Sequence, residues 1–420
     1  MKYLSLTLLV ALTIALIAAQ PTPGQEAPPS GFDKDRGRDI LNVIKSDLKK
    51  HYYDQAFHGM DVDVRFKTAE EKIKTAASHT FFLPPGRAAR TDYGWRMQMI
   101  GDKCFVTAVR PGSDAEAKGL KAGDEILSID RKSPTRENFW KLEYYYYSVR
   151  PQPGITVEIR KPNGQEAELP IRAKVMALKR VMDLTGNDIF QLIRESENDT
   201  HFNRQRFYEI GDDVLIWKMP NFEFEEDQVD DIMSKARKHK ALIVDLRGNP
   251  GGYVVTLQRL AGYFFDHDVQ IAALKGRKEM KPQQAKTRGD KTFKGQLVVL
   301  VDSRSASAAE IFSRLIQLEK RGTVIGDRSA GAVMQSQELP HSSGIDVVAF
   351  WGVSISDADV IMADGKSLER SGVMPDELLL PTPADLAALR DPVLARAAQL
   401  VGAKLDGEKA GGIFPIEWRK

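Results

Sequence analysis

The sequence predicts an α/β fold for the region that begins near residue 175, with a largely parallel sheet covered by helices. Three short apolar runs have the composition of buried strands: 214–219, 241–245 and 297–302. Helical periodicity follows the first run at 228–239 and the last run at 308–319. Buried strands that alternate with helices are typical of parallel sheets whose two faces are both covered.

A separate β-rich domain is predicted between residues 91 and 174, where short strand-like runs alternate with Gly, Pro and Asn turns. The runs at 155–159 and 167–171 flank a Pro-Asn-Gly turn at 162–164. Asn-Gly accepts the positive φ angles of a tight turn, so this segment predicts a β-hairpin.

The first residues have the pattern of a secretory signal peptide. Lys2 supplies a positive charge, an apolar run extends over 4–18, and the small residues Ala18 and Ala19 precede a polar stretch. The apolar run is shorter than the roughly 20 residues of a membrane span, which favours a signal peptide over an uncleaved anchor. We therefore predict a signal peptide over residues 1–19, export to the periplasm or the medium, and no stable membrane span after cleavage.

Two further segments precede the β-rich domain. Residues 20–31 are rich in Pro, Gly, Gln and Ser and predict a linker. Residues 32–90 predict a helical N-terminal region, because apolar residues recur at helical spacing over 40–48 and a second helical stretch covers 68–77.

Charge and cysteine content exclude several classes of function. Lys and Arg number 60 against 58 Asp and Glu, so the net charge of +2 gives no reason to expect nucleic acid as a partner. The single cysteine, Cys104, cannot form an intramolecular disulfide and is predicted to be a buried thiol, with a nucleophilic role as the alternative. The histidines have no metal-ligand spacing, so no metal or other cofactor is predicted.

A glycine-rich turn follows the second predicted strand, where residues 245–252 read DLRGNPGG. Paired glycines between a strand and a helix expose backbone N–H groups, as an oxyanion hole requires. A simple turn without a function is the alternative.

A serine lies at the next junction between a strand and a helix, where residues 301–311 read VDSRSASAAEI. Ser307 stands between small residues, which leaves room for a substrate, and the following helix would favour a developing negative charge. The alternative is that Ser305 or Ser307 only caps this helix.

The order of these segments resembles the C-terminal processing (tail-specific) protease family. Residues 119–124 (GLKAGD) resemble part of its PDZ domain, and Tyr93, Gly94, Trp95, Arg96 and Met97 resemble that domain's carboxylate-binding loop and peptide-binding strand. A PDZ domain binds a peptide as an added strand at the edge of its sheet. The resemblance implies a PDZ domain over 91–174.

The same resemblance implies a serine peptidase core over 175–405 with a crotonase/ClpP-like α/β fold, followed by a C-terminal tail over 406–420. Ser307 corresponds to the family's nucleophile. Gly251 or Gly252, together with Ala308, corresponds to its oxyanion hole.

One position departs from most bacterial members, which use a lysine as the base. Ala332 occupies the place of that lysine. A tricorn-like branch instead uses a histidine from before the PDZ domain and a glutamate after the serine. Ser78 and His79 resemble that branch's Ser-His pair, and Glu369 resembles its acidic member. By this resemblance His79 would take the proton of Ser307, and Glu369 or Ser78 would orient the imidazole.

The expected function is therefore hydrolysis of peptide bonds in unstructured or C-terminal protein segments through an acyl-enzyme. The expected partners are polypeptides recognised through exposed C-termini, and no oligomeric state is predicted. One alternative is an inactive relative that binds peptides through its PDZ domain, because the family lysine is absent. Another is an acyl-CoA enzyme, against which the signal peptide argues.

Overall fold

The computed structural model describes residues 42–67, 81–83, 89–149, 151–177, 203–343 and 349–418. The predicted signal peptide, linker and 68–77 helix lie outside the described residues. The region 32–90 is not wholly helical. Its described part contains helix α1 (42–51), a short 3₁₀ turn (Phe57–Gly59), helix α2 (Val62–Lys67) and strand β1 (Phe81–Leu83). Residues 47–420 form one compact unit.

The predicted β-rich domain is a five-stranded antiparallel sheet in the order β3-β4-β5-β6-β7. The elements from residue 89 to residue 177, in chain order, are β2 (Ala89–Asp92), β3 (Trp95–Ile100), β4 (Lys103–Val109), α3 (Asp114–Ala117), β5 (Glu125–Ile129), α4 (Phe139–Glu143), a π-helical turn (Tyr144–Val149), β6 (Gly154–Arg160), β7 (Glu166–Arg172) and β8 (Lys174–Ala177). Strand β3 lies at the edge of the sheet, and β2 and β8 pair separately at the base of the domain. The predicted hairpin is confirmed, since β6 and β7 pair in antiparallel register across Asn163 and Gly164.

Residues 203–418 form a mixed α/β region. Its strands, in chain order, are β9 (Arg206–Ile210), β10 (Val214–Lys218), β11 (Ala241–Asp245), β12 (Val269–Gly276), β13 (Gln283–Ala285), β14 (Gln296–Val301), β15 (Thr323–Gly326), β16 (Met334–Ser343), β17 (Ala349–Met362) and β18 (Glu377–Leu378). Its helices, in chain order, are α5 (Glu226–Ala236), α6 (Val254–Ala261), α7 (Ala308–Leu318), α8 (Pro383–Ala387), α9 (Pro392–Leu400) and α10 (Gly407–Ile413), with a 3₁₀ turn at Gly289–Lys291.

The predicted parallel sheet is present, in the order β18-β15-β14-β11-β10-β9, and only β9 runs antiparallel to its neighbour. Alternate residues of β10 face opposite layers, as strand geometry requires. Leu215 and Trp217 pack with helices α5, α6 and α7, whereas Val214 and Ile216 pack with α9 and α10. Helices therefore cover both faces of the sheet.

A second, antiparallel sheet was not predicted. It has the order β1-β17-β12-β13, and β16 pairs along β17. The backbone of β1 pairs with β17 from Phe81 opposite Ser354 to Leu83 opposite Gly352. This pairing joins the N-terminal region to the strands that follow Ala332.

The segment 406–420, interpreted in the sequence as a tail, contains helix α10. Asp406 caps this helix by accepting a hydrogen bond from the amide of Lys409 (2.8 Å). Ala410 is buried against the sheet, and Ile413 and Phe414 pack beside it. The helix therefore belongs to the core. Within the described part of the chain, no helix has the length and hydropathy that a membrane span requires.

Candidate active site

Three loops meet at the carboxyl edge of the parallel sheet, where open α/β sheets bind their ligands. They follow β11 (246–252), β14 (302–307) and β15 (327–333). The amide of Ala306 donates to the carbonyl of Asn249 (2.9 Å), and the amide of Ala330 donates to the carbonyl of Ser305 (2.9 Å). The buried hydroxyl of Ser305 donates to the carbonyl of Leu246 (2.8 Å). The three loops are therefore held as one rigid edge.

Ser307 lies where the second loop enters helix α7, and it is half-buried. Its backbone angles, φ 54° and ψ −120°, are ones that non-glycine residues rarely adopt. A strained turn between a strand and a helix is also how hydrolases of another fold expose a nucleophilic serine. Ser307 serves as the N-cap residue of α7, so capping and a chemical role are compatible at this position.

The glycine turn packs directly against this serine. A Cβ atom on Gly251 would lie 2.6 Å from the Cβ of Ser307 and 2.9 Å from the amide nitrogen of Ala308, so only glycine fits. The amide of Gly251 donates to the side chain of Asn249 (2.8 Å). Among the hydrogen bonds of the described residues, none starts from the amide of Gly252 or of Ala308. These two amides are the better placed of the predicted oxyanion-hole donors.

Glu310 is a fully buried carboxylate one turn into α7, and no role was predicted for it from the sequence. Its Oε1 accepts from the hydroxyl of Ser329 (2.5 Å) and the amide of Gly331 (2.8 Å). Its Oε2 accepts from the amides of Ala332 (2.9 Å) and Ser307 (3.1 Å). Burial raises the pKa of Glu310 to about 7, although each of these donors favours the anion.

The sequence did carry a signal for Glu310. A serine followed three residues later by a glutamate is the capping-box pattern, in which the glutamate reaches back to the N-cap amide. Glu310 makes that contact with Ser307 and also ties the 327–333 loop to it. Its position between Ala309 and Ile311, both buried, indicates an internal carboxylate.

Glu369 lies on the other side of the 327–333 loop and is half-buried. Its Oε2 accepts from the amide of Val333 (2.8 Å), and the next residue, Arg370, donates its amide to the carbonyl of Gly331 (2.7 Å). The carbonyl of Ala332, between them, accepts from the amide of Ser307 (2.9 Å). The structure therefore brings Glu369 and Ser307 to the same loop.

The predicted base and its partner, His79 and Ser78, lie outside the described residues. Lys238 and Lys240 lie at the amino end of β11, opposite the edge that carries Ser307, so neither is placed to act as its base. Lys240 pairs with Asp213 (2.9 Å), which raises its pKa and makes it a poorer base.

Arg247 of the glycine turn has a structural role. Its guanidinium donates to both carboxylate oxygens of Asp245 (2.9 and 2.8 Å) and to both of Asp391 (2.9 and 2.7 Å). Asp391 in turn caps helix α9 at the amide of Leu394 (2.9 Å). The turn beside Ser307 is thereby fixed to the helical layer.

The predicted peptide-binding strand has two faces. Tyr93, Trp95 and Met97 are buried in the PDZ core, and the amide of Gly94 donates to the side chain of Asp92 (2.8 Å). Arg96 points away from that core and contacts the C-terminal segment.

The serine loop contacts the outer edge of the same strand. Arg304 donates to the carbonyl of Met97 (2.8 Å) and pairs with Glu143 of α4, and the hydroxyl of Ser303 donates to the carbonyl of Met99 (2.5 Å). The edge that a bound peptide would extend is thus in contact with the loop that carries Ser307.

Cys104 is buried in the PDZ core, as predicted, and burial raises its thiol pKa to about 12. A thiol with this pKa is a poor nucleophile at neutral pH. No cluster of metal-ligating side chains is found among the residues that the structure describes.

Comparison with known proteins agrees with this geometry. A model of peptidase family S41 matches residues 213–379, and a PDZ domain model matches residues 87–137. The region that contains Ser307 is therefore similar to peptidases of family S41, and the region before it is similar to PDZ domains. The chain as a whole is similar to C-terminal processing, or tail-specific, proteases.

Its relatives are distant. The tail-specific protease of Haemophilus influenzae is 25% identical over 317 residues, which cover 71% of this chain and 43% of that protein. The carboxy-terminal processing protease CtpA of Bacillus subtilis is 22% identical over 383 residues, which cover 87% of this chain and 73% of that one. The match thus spans less than half the length of the Haemophilus protein.

A solved structure, the photosystem II D1 C-terminal processing protease, has the same overall fold. It superposes with a TM-score of 0.52 at 16% identity, covering 90% of this chain and 99% of that one.

Proposed function

We propose that this chain is an exported serine endopeptidase that hydrolyses peptide bonds in unstructured or C-terminal protein segments through an acyl-enzyme on Ser307. The observation that carries the proposal is the position of Ser307, on a strained turn with Gly251 packed against it. In the glycine turn and the serine loop, the amides of Gly252 and Ala308 donate no hydrogen bond among the described residues, which suits a tetrahedral oxyanion.

In the proposed mechanism the Ser307 hydroxyl attacks the scissile carbonyl while His79 takes its proton. The amides of Gly252 and Ala308 stabilise the oxyanion. The C–N bond then breaks, the proton passes from His79 to the leaving amine, and water hydrolyses the ester by the reverse proton path.

The tricorn-like assignment rests on two supports. Glu369 contacts the loop that receives the amide of Ser307. By the family resemblance, Ala332 stands at the position of the lysine that most bacterial members use as the base. The strand that follows Ser78 and His79, β1, pairs with β17, which also pairs with β16, and β16 begins directly after Val333. Glu369 and Ser78 would hold the imidazole and stabilise its charged form.

The remaining assignments follow from the family resemblance. The PDZ domain would select or position the substrate tail through residues 93–97. The core over 175–405 would have the crotonase/ClpP-like arrangement, and the signal pattern of residues 1–19 supports export to the periplasm or the medium.

A fluorophosphonate probe, which labels activated serines, tests the proposal directly. The full chain should be labelled at Ser307 and should degrade a loosely folded protein, and Ser307→Ala should lose both activities while keeping its melting temperature. Ser371→Ala, at an exposed serine, is the matched control and should retain both. Labelling elsewhere, or turnover by Ser307→Ala, would remove the nucleophile assignment.

His79→Ala tests the base separately. The variant should lose at least about 100-fold in kcat, the usual size of a general-base contribution. An unchanged kcat would exclude the tricorn-like assignment without affecting Ser307.

A further inference from the structure

The C-terminal segment 414–418 lies against the PDZ domain at a pair of arginines. Two guanidinium groups lie over the ring of Trp418. The Cζ atom of Arg96 is 5.0 Å from the ring centroid, and the Cζ atom of Arg110 is 5.1 Å from it. Arginine over tryptophan is the most favourable cation–π pairing among the natural side chains. We call Arg96 and Arg110 the arginine clamp.

The residue before the tryptophan adds a polar contact to the clamp. The carbonyl of Glu417 accepts a hydrogen bond from Arg96. Its carboxylate is held by two parallel hydrogen bonds from Arg204 (3.0 and 2.6 Å), a geometry specific for arginine and carboxylate. The arginine clamp and Arg204 together therefore bind an acidic residue that is followed by an aromatic residue.

The clamp opens into the cleft between the PDZ domain and the peptidase region. This cavity has a volume of about 2020 Å³, and its walls include Gly248, Asp302 and Arg304 as well as the 414–418 segment. A cavity of this size exceeds that of an ordinary small-molecule site and can take an extended peptide. The segment thus lines the same cleft as Gly248 of the glycine turn and Asp302 and Arg304 of the serine loop.

The electrostatics of the clamp favour an acidic ligand. Burial lowers the pKa of Arg96, and the neighbouring charges of Arg304 and Arg110 lower it further, so two other cations lie near its guanidinium. Asp92 offsets part of this positive charge by pairing with Arg110 (2.8 Å). Trp418 and Glu417 are half-buried in this arrangement.

We propose that residues 414–418 are an internal ligand of the arginine clamp, and that substrate tails with an acidic residue followed by an aromatic residue compete with them. The proposal rests on the proposed function, because it names the class of tail that the peptidase would accept. When an internal ligand fills a site, the apparent affinity for a competitor falls in proportion to the fraction of open sites. Weakening the internal ligand therefore strengthens binding of the competitor.

The test uses the full chain carrying Ser307→Ala, so that no probe is cleaved. The probe is a fluorescein-labelled peptide with the sequence of residues 412–418, GIFPIEW, and binding is measured by fluorescence anisotropy. Adding Trp418→Ala should tighten the Kd of this peptide about 5- to 30-fold, as expected for the loss of cation–π contacts from the internal competitor. Adding Arg96→Gln to that variant should abolish the gain.

Two controls separate the proposal from general effects of substitution. Met374→Ala alters an exposed side chain (58% exposed) outside both the clamp and the 414–418 segment and should leave the Kd unchanged. A peptide in which Glu and Trp are separated should bind at least about tenfold more weakly.

An unchanged Kd in Trp418→Ala, or a gain that survives Arg96→Gln, would overturn the proposal. Because the assay requires no hydrolysis, such a result would leave the proposed activity of Ser307 untouched. Loss of fluorophosphonate labelling at Ser307, in turn, would not alter the binding outcome.

Discussion

Two glutamates, Glu310 and Glu369, hold the 327–333 loop from opposite sides, and they differ in burial and in the hydrogen bonds that they accept. Glu310, on the inner side, is fully buried and accepts hydrogen bonds from Ser329, Gly331, Ala332 and Ser307. Glu369, on the outer side, is half-buried and accepts from the amide of Val333.

The difference separates a carboxylate that fixes geometry from one that could take part in proton transfer. Each oxygen of Glu310 is already surrounded by donors from the backbone and from Ser329, so it fixes the amide of Ser307 in place. Glu369 is half-buried, and in the proposed mechanism it orients the imidazole of His79. The full burial of Glu310 and its four hydrogen-bond donors therefore indicate that it positions the loop and the amide of Ser307.

The largest effect is expected from Glu310→Ala, which leaves three donors without an acceptor, because the amide of Ser307 keeps its bond to the carbonyl of Ala332. Each such donor costs about 1 to 3 kcal/mol, and sharing among them reduces the sum, so the free energy of unfolding should fall by about 4 kcal/mol or more. Urea unfolding measures this change. A loss below about 1 kcal/mol would show that the loop does not depend on Glu310.

The pH dependence of stability should single out Glu310. Its pKa is raised by burial from 4.5 to about 7 in the folded chain, so the stability linked to its proton is complete below about pH 4.5 and is lost as the pH rises through 7. Relative to Glu310→Gln, the native chain should lose about 3 kcal/mol between these limits. Chemical denaturation of both proteins from pH 4.5 to pH 8 measures the difference, and parallel curves would refute the assignment.

Glu369→Gln should affect catalysis and not stability. Loss of the carboxylate that orients the base should lower kcat about 100-fold, while the free energy of unfolding changes by less than about 1 kcal/mol. Glu377→Gln is a suitable control, since that glutamate pairs with Arg396 (2.7 Å) away from Ser307. Equal kinetics for the two variants would assign Glu369 to the solvated surface.

The smallest effect is expected from Ser329→Ala, which removes a single donor from Glu310. The Ser329 hydroxyl also accepts from the amide of Val373 (2.6 Å), so the free energy of unfolding should fall by about 1 to 2 kcal/mol. With one donor fewer to favour the anion, the pKa of Glu310 should rise further. A downward shift of the pH midpoint would contradict the network described here.

The parallel sheet could be predicted because the apolar composition of its strands indicates that they are buried. The sequence prediction for 241–245 matches β11 residue for residue, and helix α7 begins at Ala308 as predicted. Both faces of these strands are apolar, so no tertiary information is needed to recognise them.

The antiparallel sheet could not be predicted in the same way. Strand β16 contains Gln335, Gln337 and Pro340, and only its pairing along β17 makes it a strand. Helix α10 contains three glycines and has poor helix propensity. The close approach of Gly411 to the carbonyl of Leu389, where a Cβ would lie 1.8 Å away, explains why glycine is present there.

The candidate site was predictable only where a family motif marked it. Ser307, the glycine turn and Glu369 come together at one edge of the fold, while Ser78 and His79 lie outside the described residues. The contact between Arg96 and Glu417 joins residues 321 positions apart, and no local pattern records it. Long-range pairs of this kind depend on the folded arrangement of domains, which propensity and periodicity do not encode.

The backbone angles at residue 307 would suit glycine better than any other residue. A serine held there costs about 1 to 3 kcal/mol relative to an unstrained position. Glycine at position 307 would relieve this strain. Selection for heat tolerance alone would therefore favour a chain without the hydroxyl that the proposed mechanism requires.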